Sequence, residues 1–537
     1  MTGGQAVVEC LIKAGIHTVF GLPGVQNDWL YNGFYDYRDK IKVIHTRHEQ
    51  GTAYMALGYY LSTGEPAVFN IVPGPGFLNS SAGLATAWGL NAKLLCLVGQ
   101  VPTKALGKGF GVLHEIKDQR GILASLTKTS DYLEDPKDIP TKFSQVWSAM
   151  QIGRPRPVGL EVAMNVLQAD TDISFDDYEL IEKQFSPDSS QIDNLLELIK
   201  DSKSPLIFVA SGAMHASKEV IELAEYIQAP TFSYRTGKGI MPSSHYLSYP
   251  TPAAHDLWAE CDLVIGIGTH CRMPMMKWGK EGINYVSINI DESVHNTFCE
   301  PVLSITADSK LCLTALNSAL KQKLEPKASR KEGMAAFAEK WKEKTAYLEP
   351  QASYLRAIRK VMPDDGIFVD ELTQVGFASR ILWETDTPRT YLSTGHMGTL
   401  GWGFMTALGA KVANPDKMVI SVAGDGGFMF GVQELATAVQ HKIGVIVLLF
   451  NNKLFGNVRS MQEDLYDNRV IATDLHNPDF IKMAESFGTH AQRVDSVEKM
   501  EEAIRQAAGR ELPTIIEIPV ANDWPSTNRF KSLPKIR

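Results

Sequence analysis

The chain has 537 residues, of which 44% are hydrophobic and 21% are charged, as in an ordinary folded protein rather than a disordered one. Its formal net charge is −8, and no block of lysines and arginines is present that could follow a phosphate backbone, so we expect no nucleic-acid partner. The six cysteines are widely spaced and include no Cys-x-x-Cys pair. This pattern argues against a zinc site or a disulfide framework and indicates a reducing compartment.

Neither the N-terminal segment nor the longest apolar run predicts a membrane protein. The first 24 residues lack the basic segment and unbroken apolar stretch of a secretory signal. The longest apolar run, Val445–Phe450, is far too short to cross a bilayer. We therefore expect a soluble, cytoplasmic protein without a membrane partner.

Short apolar strand patterns alternate with amphipathic helical patterns along the whole chain, as is typical of parallel α/β sheets. An acidic connector near residues 167–193 and a lysine-rich stretch near 321–344 divide the pattern into three parts. We predict an α/β protein with three doubly wound parallel-sheet domains, at residues 1–170, 190–325 and 350–537. The predicted strands with the clearest limits are Thr18–Phe20, Ala67–Ile71, Lys93–Val98, Val158–Val162, Gly366–Asp370, Met418–Ala423, Val445–Phe450 and Thr514–Ile518.

The strongest chemical signal lies in the third predicted domain. Gly424–Gly427 reads Gly-Asp-Gly-Gly directly after an apolar strand, and residues 428–440 follow with a helical pattern. Asn451-Asn452 follows the next strand. Either fragment alone is most often a turn or a loop. At the carboxyl ends of two neighbouring parallel strands, however, carboxylate and amide oxygens suit Mg²⁺ held against a diphosphate. The glycines would let backbone N–H groups approach the phosphates.

These fragments resemble the diphosphate-binding motif of thiamine-diphosphate enzymes, which begins with Gly-Asp-Gly and ends in Asn-Asn. The resemblance implies that Asp425, Asn452 and the backbone carbonyl of Leu454 bind Mg²⁺. It also implies that thiamine diphosphate lies against four residues of the motif, namely Gly424, Asp425, Gly426 and Gly427.

A second signal is Glu49, which opens a predicted helix after an apolar strand. A glutamate in a first helical turn is usually only a favourable partner for the helix dipole. In thiamine-diphosphate enzymes, a glutamate at this place hydrogen-bonds the aminopyrimidine ring and thereby activates the cofactor. Gly24, and Gly76 and Asn79 in the Pro73–Asn79 loop, resemble further cofactor-side residues of that family. Glu49 is therefore predicted to be both catalytic and cofactor-binding.

The resemblance extends over nearly the whole chain and is nearest to the acetohydroxyacid (acetolactate) synthase branch. It rests there on Gly395–Gly403 and Val98–Pro102. It implies a pyrimidine-binding, a middle and a diphosphate-binding domain, in that order. It also implies that Gly398 lies beside the cofactor and that Leu400 is the apolar residue that holds the cofactor bent. Members of the family form homodimers or homotetramers with active sites between subunits.

Three departures from the synthase pattern concern the reaction. His114 stands where the synthases have a glutamine, and Met461 replaces their acceptor-selecting tryptophan. A histidine in a polar stretch is usually a surface residue, but at this place it is predicted to be a catalytic proton donor. The segment Gly268–Met276 replaces the synthases' flavin-binding segment. FAD is therefore an open question, with the residues arguing against it.

The predicted function is decarboxylation of a 2-oxo acid followed by carboligation. The first alternative is a simple 2-oxo acid decarboxylase that releases an aldehyde. A second is an acyl-CoA C–C lyase, since Lys531, Lys535 and Arg537 could meet a CoA phosphate. A non-catalytic relative is disfavoured because the activating glutamate and the metal ligands are present.

Overall fold

The first sheet of the computed structural model, which describes all 537 residues, consists of six parallel strands in the order β2-β1-β3-β4-β6-β5. Every residue of its two central strands is buried, as expected when helices cover both faces of a parallel sheet. The strands are β1 (Thr18–Gly21), β2 (Lys42–His45), β3 (Ala67–Ile71), β4 (Leu94–Gln100), β5 (Ser130–Leu133) and β6 (Val158–Ala163). The helices are α1 (Gly3–Lys13), α2 (Asp28–Asp36), α3 (Glu49–Thr63), α4 (Pro75–Gly89), α5 (Gln119–Leu126), α6 (Ile139–Gln151) and α7 (Met164–Gln168).

The second sheet has the order β12-β11-β10-β7-β8-β9. Its strands are β7 (Pro205–Val209), β8 (Thr231–Ser233), β9 (Ser248–Pro250), β10 (Leu263–Ile267), β11 (Asn284–Asn289) and β12 (Leu303–Thr306). The helices of this region are α8 (Ser189–Asp201), α9 (Ser217–Ile227), α10 (Ser309–Lys323) and α11 (Lys331–Thr345).

The third sheet has the order β14-β13-β15-β16-β18-β17. Its strands are β13 (Ile367–Val369), β14 (Tyr391–Leu392), β15 (Val419–Gly424), β16 (Ile446–Asn451), β17 (His490–Arg493) and β18 (Thr514–Pro519). The helices are α12 (Gln351–Val361), α13 (Gln374–Leu382), α14 (Trp402–Ala413), α15 (Asp425–Phe428), α16 (Glu434–Gln440), α17 (Gly456–Leu465), α18 (Phe480–Ser486) and α19 (Val497–Ala507).

The predicted fold class is confirmed, because the chain forms three parallel six-stranded sheets with surrounding helices. The strand predicted at Ala67–Ile71 has those limits, and the others differ by one or two residues. The short edge strands β5, β9, β14 and β17 were not among the predicted ones; β17, for example, has no buried residue and hence little apolar signal. The helical run predicted after Gly427 is interrupted, since α15 ends at Phe428 and α16 begins at Glu434.

The chain divides into two compact units. Unit 1 comprises residues 1–183, 394–495 and 503–520, and unit 2 comprises residues 184–393, 496–502 and 521–537. Within unit 1, α3 and α14 pack backbone to backbone: a Cβ atom on Gly58 would overlap the Thr406 carbonyl, and one on Gly409 would overlap the Met55 carbonyl. This close contact joins elements that flank the first and third sheets. No helix of the protein is both long and apolar enough to span a lipid bilayer.

Candidate functional site

The ends of β15 and β16 bring the two halves of the strongest motif to one edge of the third sheet. The strands are parallel neighbours, with Gly424 opposite Phe450. The next residue of each chain segment, Asp425 and Asn451, therefore lies at the same edge of the sheet. Asp425 is only 1% exposed. Burial raises the pKa of its carboxyl group above the ordinary value, although a hydrogen bond from Asn477 acts in the opposite direction.

A network of amide side chains holds this edge together. Asn477 Nδ2 donates to Asp425 Oδ2 at 2.6 Å and to Asn451 Oδ1 at 3.1 Å. Asn451 Nδ2 in turn donates to Glu517 Oε1 at 2.8 Å. Asn452 is half-buried, and its Oδ1 accepts from Leu454 N at 3.2 Å. The first asparagine of the pair therefore organises the strand end, while the second belongs to the loop beside it.

The residues at this edge fit a divalent cation and a diphosphate. The Asp425 carboxylate, the Asn452 amide oxygen and the Leu454 carbonyl are hard oxygen donors of the kind that Mg²⁺ prefers. The turn that follows Asp425 is packed tightly, because a Cβ on Gly426 would lie 2.6 Å from the Phe455 ring. Only glycine leaves the backbone there free to be approached closely.

Glu49 lies at the first position of α3, after the N-cap residue His48. Its Oε2 accepts a hydrogen bond from Asn79 Nδ2 at 3.0 Å. A Cβ on Gly76 would lie 3.3 Å from Glu49 Oε1, so the absence of a side chain at that position leaves room for the carboxylate. Three predicted site residues from two separate sequence motifs therefore lie together. Gly24 lies against the side chain of Val72. The segment after Val72, predicted to be a loop over Pro73–Asn79, is helical from Pro75 onward, so Gly76 and Asn79 lie at the start of α4.

His114 is held by a buried glutamine that the sequence analysis did not identify. Gln26, which is 3% exposed, donates from Nε2 to the Leu113 carbonyl at 2.8 Å. Its Oε1 is then the acceptor for His114 Nδ1, at 2.9 Å. This arrangement assigns the Nδ1–H tautomer to the neutral ring and leaves Nε2 as the atom that can exchange a proton. No sequence motif marks Gln26, because 88 positions separate it from His114.

The loop that carries His114 is organised by its neighbour Glu115. The Glu115 carboxylate accepts from Gly109 N at 3.0 Å, Gly111 N at 2.8 Å and Val112 N at 3.2 Å. His114 itself has a φ of +67°, and a Cβ on Gly74 would overlap its carbonyl group. The histidine is thus fixed by backbone conformation as well as by its side-chain hydrogen bond.

The segment around Leu400 is a glycine-rich bend. Gly395, Gly398 and Gly401 all have positive φ, at +62°, +59° and +78°, which L-residues adopt only at a cost. Between them, Thr399 Oγ1 accepts from the Tyr54 hydroxyl of α3 at 2.9 Å. Leu400 is half-buried in this anchored bend.

Two residues of α17 differ in their suitability for substrate contact. Met461, at the predicted acceptor-selecting position, is 47% exposed. Arg459 is paired with Glu463 at 2.8 Å and with Asp474 at 2.9 Å, so its charge is already matched within the chain. Met461 is therefore the better candidate.

Comparison with known proteins identifies the family of this chain. Family models described as the N-terminal TPP binding domain, the central domain and the C-terminal TPP binding domain of thiamine pyrophosphate enzymes match residues 1–122, 192–316 and 373–518. The chain belongs to the thiamine pyrophosphate enzyme family, as its sequence motifs predict, and is a thiamine-diphosphate-dependent enzyme.

Curated relatives fall into two functional groups. A probable acetolactate synthase large subunit of Methanocaldococcus jannaschii is 31% identical over 97% of this chain and 92% of its own length. Acetolactate synthase isozyme 1 large subunit of Escherichia coli is 27% identical over 97% and 94%. A probable 2-ketoarginine decarboxylase of Pseudomonas aeruginosa is 29% identical over 96% and 94%. Synthases and a decarboxylase are thus similarly distant from this chain.

Proposed function

We propose that this enzyme decarboxylates a 2-oxo acid and joins the remaining fragment to a second carbonyl compound, as an acetolactate-synthase-like carboligase. The observation that carries the proposal is that unit 1 contains two groups of predicted cofactor residues. One group is the set of oxygen donors at the ends of β15 and β16. The other is Glu49 with its hydrogen-bond donor Asn79. The synthases among the relatives support the same reaction class.

The residues that would hold the cofactor follow from the site. Asp425, Asn452 and the Leu454 carbonyl would bind Mg²⁺. The other residues predicted to line thiamine diphosphate are Gly24, Glu49, Gly76, Asn79, Gly398, Leu400, Gly424, Gly426 and Gly427. Bound thiamine diphosphate supplies a nucleophilic carbon for the keto group and an electron sink for the loss of carbon dioxide.

The chain's own residues handle protons and orientation. Glu49 would hold a proton for exchange with the aminopyrimidine ring of the bound cofactor, and Asn79 holds its Oε2 in place. His114 exchanges a proton at Nε2, because Gln26 occupies Nδ1. Met461 on α17 would contact the acceptor.

Simple decarboxylation is the second candidate, favoured by the fixed His114 and by the decarboxylase among the relatives. A well-placed proton donor promotes release of an aldehyde over attack on an acceptor. The acyl-CoA alternative stays third, because the C-terminal cations on which it rests have partners within the chain, Lys535 among them, with Glu281 at 3.7 Å. Arg537 donates to the carbonyls of Glu281 and Cys261, and Lys531 donates to Asn528 Oδ1.

The middle domain is proposed to be a structural support without FAD. Gly212 N donates to the Gly268 carbonyl at 3.2 Å, and a Cβ on Gly212 would lie 2.6 Å from Gly268 Cα. Backbone thus occupies the space between the two loops in which a nucleotide phosphate would have to approach the strand ends.

A cytoplasmic homodimer or homotetramer is the proposed assembly. Large apolar side chains are exposed directly beside predicted cofactor residues: Val25 follows Gly24 and is 51% exposed, and Leu78 precedes Asn79 and is 44% exposed. Near Gly427, Phe430 is 47% exposed. Exposed apolar groups around a site indicate a surface that another copy covers.

The test is product NMR on purified protein with thiamine diphosphate, Mg²⁺ and a panel of 2-oxo acids, with and without an added aldehyde. Hydroxyketones or 2-aceto-2-hydroxy acids are expected. Aldehyde as sole product would establish the decarboxylase, and no turnover of any 2-oxo acid would refute both. His114→Gln, which restores the residue of the synthases, is the matched variant and should shift products away from aldehyde.

A further inference from the structure

The buried carboxylate of Glu434 stands at the first position of α16, nine residues after Asp425. Its exposure is 0%. Oε1 accepts from His48 N at 2.9 Å, both oxygens accept from Arg47 N at 3.1–3.2 Å, and Oε2 accepts from Thr437 Oγ1 at 2.6 Å. All three donors are neutral groups, so the carboxylate serves as a hydrogen-bond acceptor for a turn rather than as half of an ion pair.

The turn that Glu434 binds is the one that presents Glu49. Arg47 and His48 immediately precede Glu49, and His48 is the N-cap of α3. Thr46 Oγ1 donates to the His48 carbonyl at 2.9 Å. The turn is therefore held at this carbonyl as well as at the Arg47 and His48 N–H groups. Backbone N–H groups at a helix start have no partner within the helix, and Glu434 supplies one from another element.

A glycine makes room for this contact. A Cβ on Gly51 would lie 2.8 Å from both Cδ and Oε1 of Glu434, closer than side chains approach one another in folded proteins. Gly51 is the third residue of α3, in its first turn, and glycine is a poorer helix former than alanine. The sequence therefore contains an unfavourable helical residue at the place where the carboxylate must enter.

The environment is costly for a charge. Burial raises the pKa of the Glu434 carboxyl group above its ordinary value, and the hydrogen bonds from Thr437, Arg47 and His48 lower it only in part. Electrostatic attraction to His48 also lowers the pKa of this carboxyl group, but the groups that donate hydrogen bonds to its two oxygens are all neutral.

We propose that Glu434 is a positioning residue, which fixes the turn at residues 46–48 and thereby the direction in which Glu49 points. The role rests on the proposed function of Glu49. Through Glu434, α16 contacts the turn before Glu49, the residue predicted to contact the pyrimidine ring.

The experiment compares Glu434→Ala and Glu434→Gln with Asp262→Ala. Asp262 in unit 2 is the matched control, because it also accepts from two backbone N–H groups, those of Lys203 and Ser204, and from one hydroxyl, that of Ser202. Three readouts are taken: hydrogen exchange of residues 46–51 without cofactor, calorimetric affinity for thiamine diphosphate with Mg²⁺, and turnover of the substrate found by NMR.

Glu434→Ala should speed amide exchange at Arg47 and His48 at least about tenfold. It should lower kcat about 100-fold, since misplacing a catalytic group by an ångström has such an effect, with a smaller loss of cofactor affinity. Glu434→Gln retains one oxygen for the two N–H groups and should recover most of the activity. Asp262→Ala should reduce Tm while leaving all three readouts near wild type.

Unchanged exchange at residues 46–51 in Glu434→Ala would overturn the proposal, as would an equal fall in kcat for Asp262→Ala. If Glu434→Ala does not fold, Gly51→Ala displaces the carboxylate instead and should give the same exchange and kcat changes. If the proposed function is wrong, the wild-type protein will show no turnover. The exchange measurement on cofactor-free protein still decides the role of Glu434 in that case.

Discussion

Two glycine-rich strand ends in this protein have opposite uses. β15 ends at Gly424 and is followed by Asp425–Gly427, and β10 ends at Ile267 and is followed by Gly268. Each strand is third in the order of a six-stranded parallel sheet. At the end of β15, Gly426 packs against side chains, and polar oxygens surround the turn. At the end of β10, Gly268 packs against the backbone of Gly212.

A glycine after a strand therefore permits another group to approach the backbone closely, but it does not determine which group that is. At β15 the neighbouring strand end supplies asparagines, and the motif fits a metal and a diphosphate. At β10 the approaching group is another loop of the same chain, so the glycines serve packing.

Asp425→Ala should weaken Mg²⁺-dependent binding of thiamine diphosphate by about 1000-fold or more, since it removes the one anionic group among the proposed metal ligands. Calorimetric titration with and without Mg²⁺ measures this. The matched control is Asp291→Ala, which removes a carboxylate that follows β11 in the second sheet and accepts from Ser293 N. Unchanged affinity in Asp425→Ala would refute the metal site.

Glu49→Gln should lower turnover by about 100- to 1000-fold, the usual contribution of a general acid or base, while thiamine diphosphate still binds. Stopped-flow or NMR assays of turnover, combined with calorimetry of binding, separate the two effects. Full activity in this variant would remove Glu49 from the mechanism.

Gly268→Ala should destabilise the protein by about 3–4 kcal/mol, because the residue has a φ of +58° and a Cβ there would meet the Gly212 backbone. Gly426→Ala meets the movable ring of Phe455 instead, so it should cost less stability but weaken cofactor binding. Urea denaturation and calorimetry compare the pair. Equal losses of stability would contradict the contrast between the two strand ends.

Lys238 is a buried cation in unit 2, and its Nζ donates to the Trp383 carbonyl at 2.9 Å. Burial lowers its pKa to about 8 from 10.5, so below pH 8 the folded state carries the full cost of the buried charge. Between pH 8 and 10.5 the unfolded state binds more protons, and stability rises with pH. The stability of Lys238→Met relative to wild type should therefore fall by about 2–3 kcal/mol from pH 7 to 10.5, as measured by denaturation at each pH. A constant difference would contradict this.

The site residues that the sequence predicts are those in local motifs. Asp425, Asn452 and Glu49 each lie within a few residues of a strand end or helix start, where a short pattern predicts both position and chemistry. Glu49 and Asn79 are 30 positions apart, yet both could be predicted because each has its own motif. The interrupted helix after Gly427 was not predicted, since its apolar pattern continues through the break.

The residues that the sequence misses act through long-range pairs. Asn477 meets Asp425 across 52 positions, Gln26 meets His114 across 88, and Glu434 meets Arg47 across 387. In each pair one member is an ordinary glutamine, asparagine or glutamate with nothing distinctive around it. Such contacts carry no local periodicity, so no pattern predicts them.

The amino-acid sequence by itself determined the α/β class, the three parallel sheets and the chemistry available at the strand ends, because hydrophobic periodicity and short motifs are properties of neighbouring residues. Only the tertiary structure decided which glycine-rich strand end is closed by backbone, which ring nitrogen of His114 is free, and what holds the turn before Glu49. Those outcomes depend on which distant groups fill a given space and pair with a given donor, and folding alone brings these groups together.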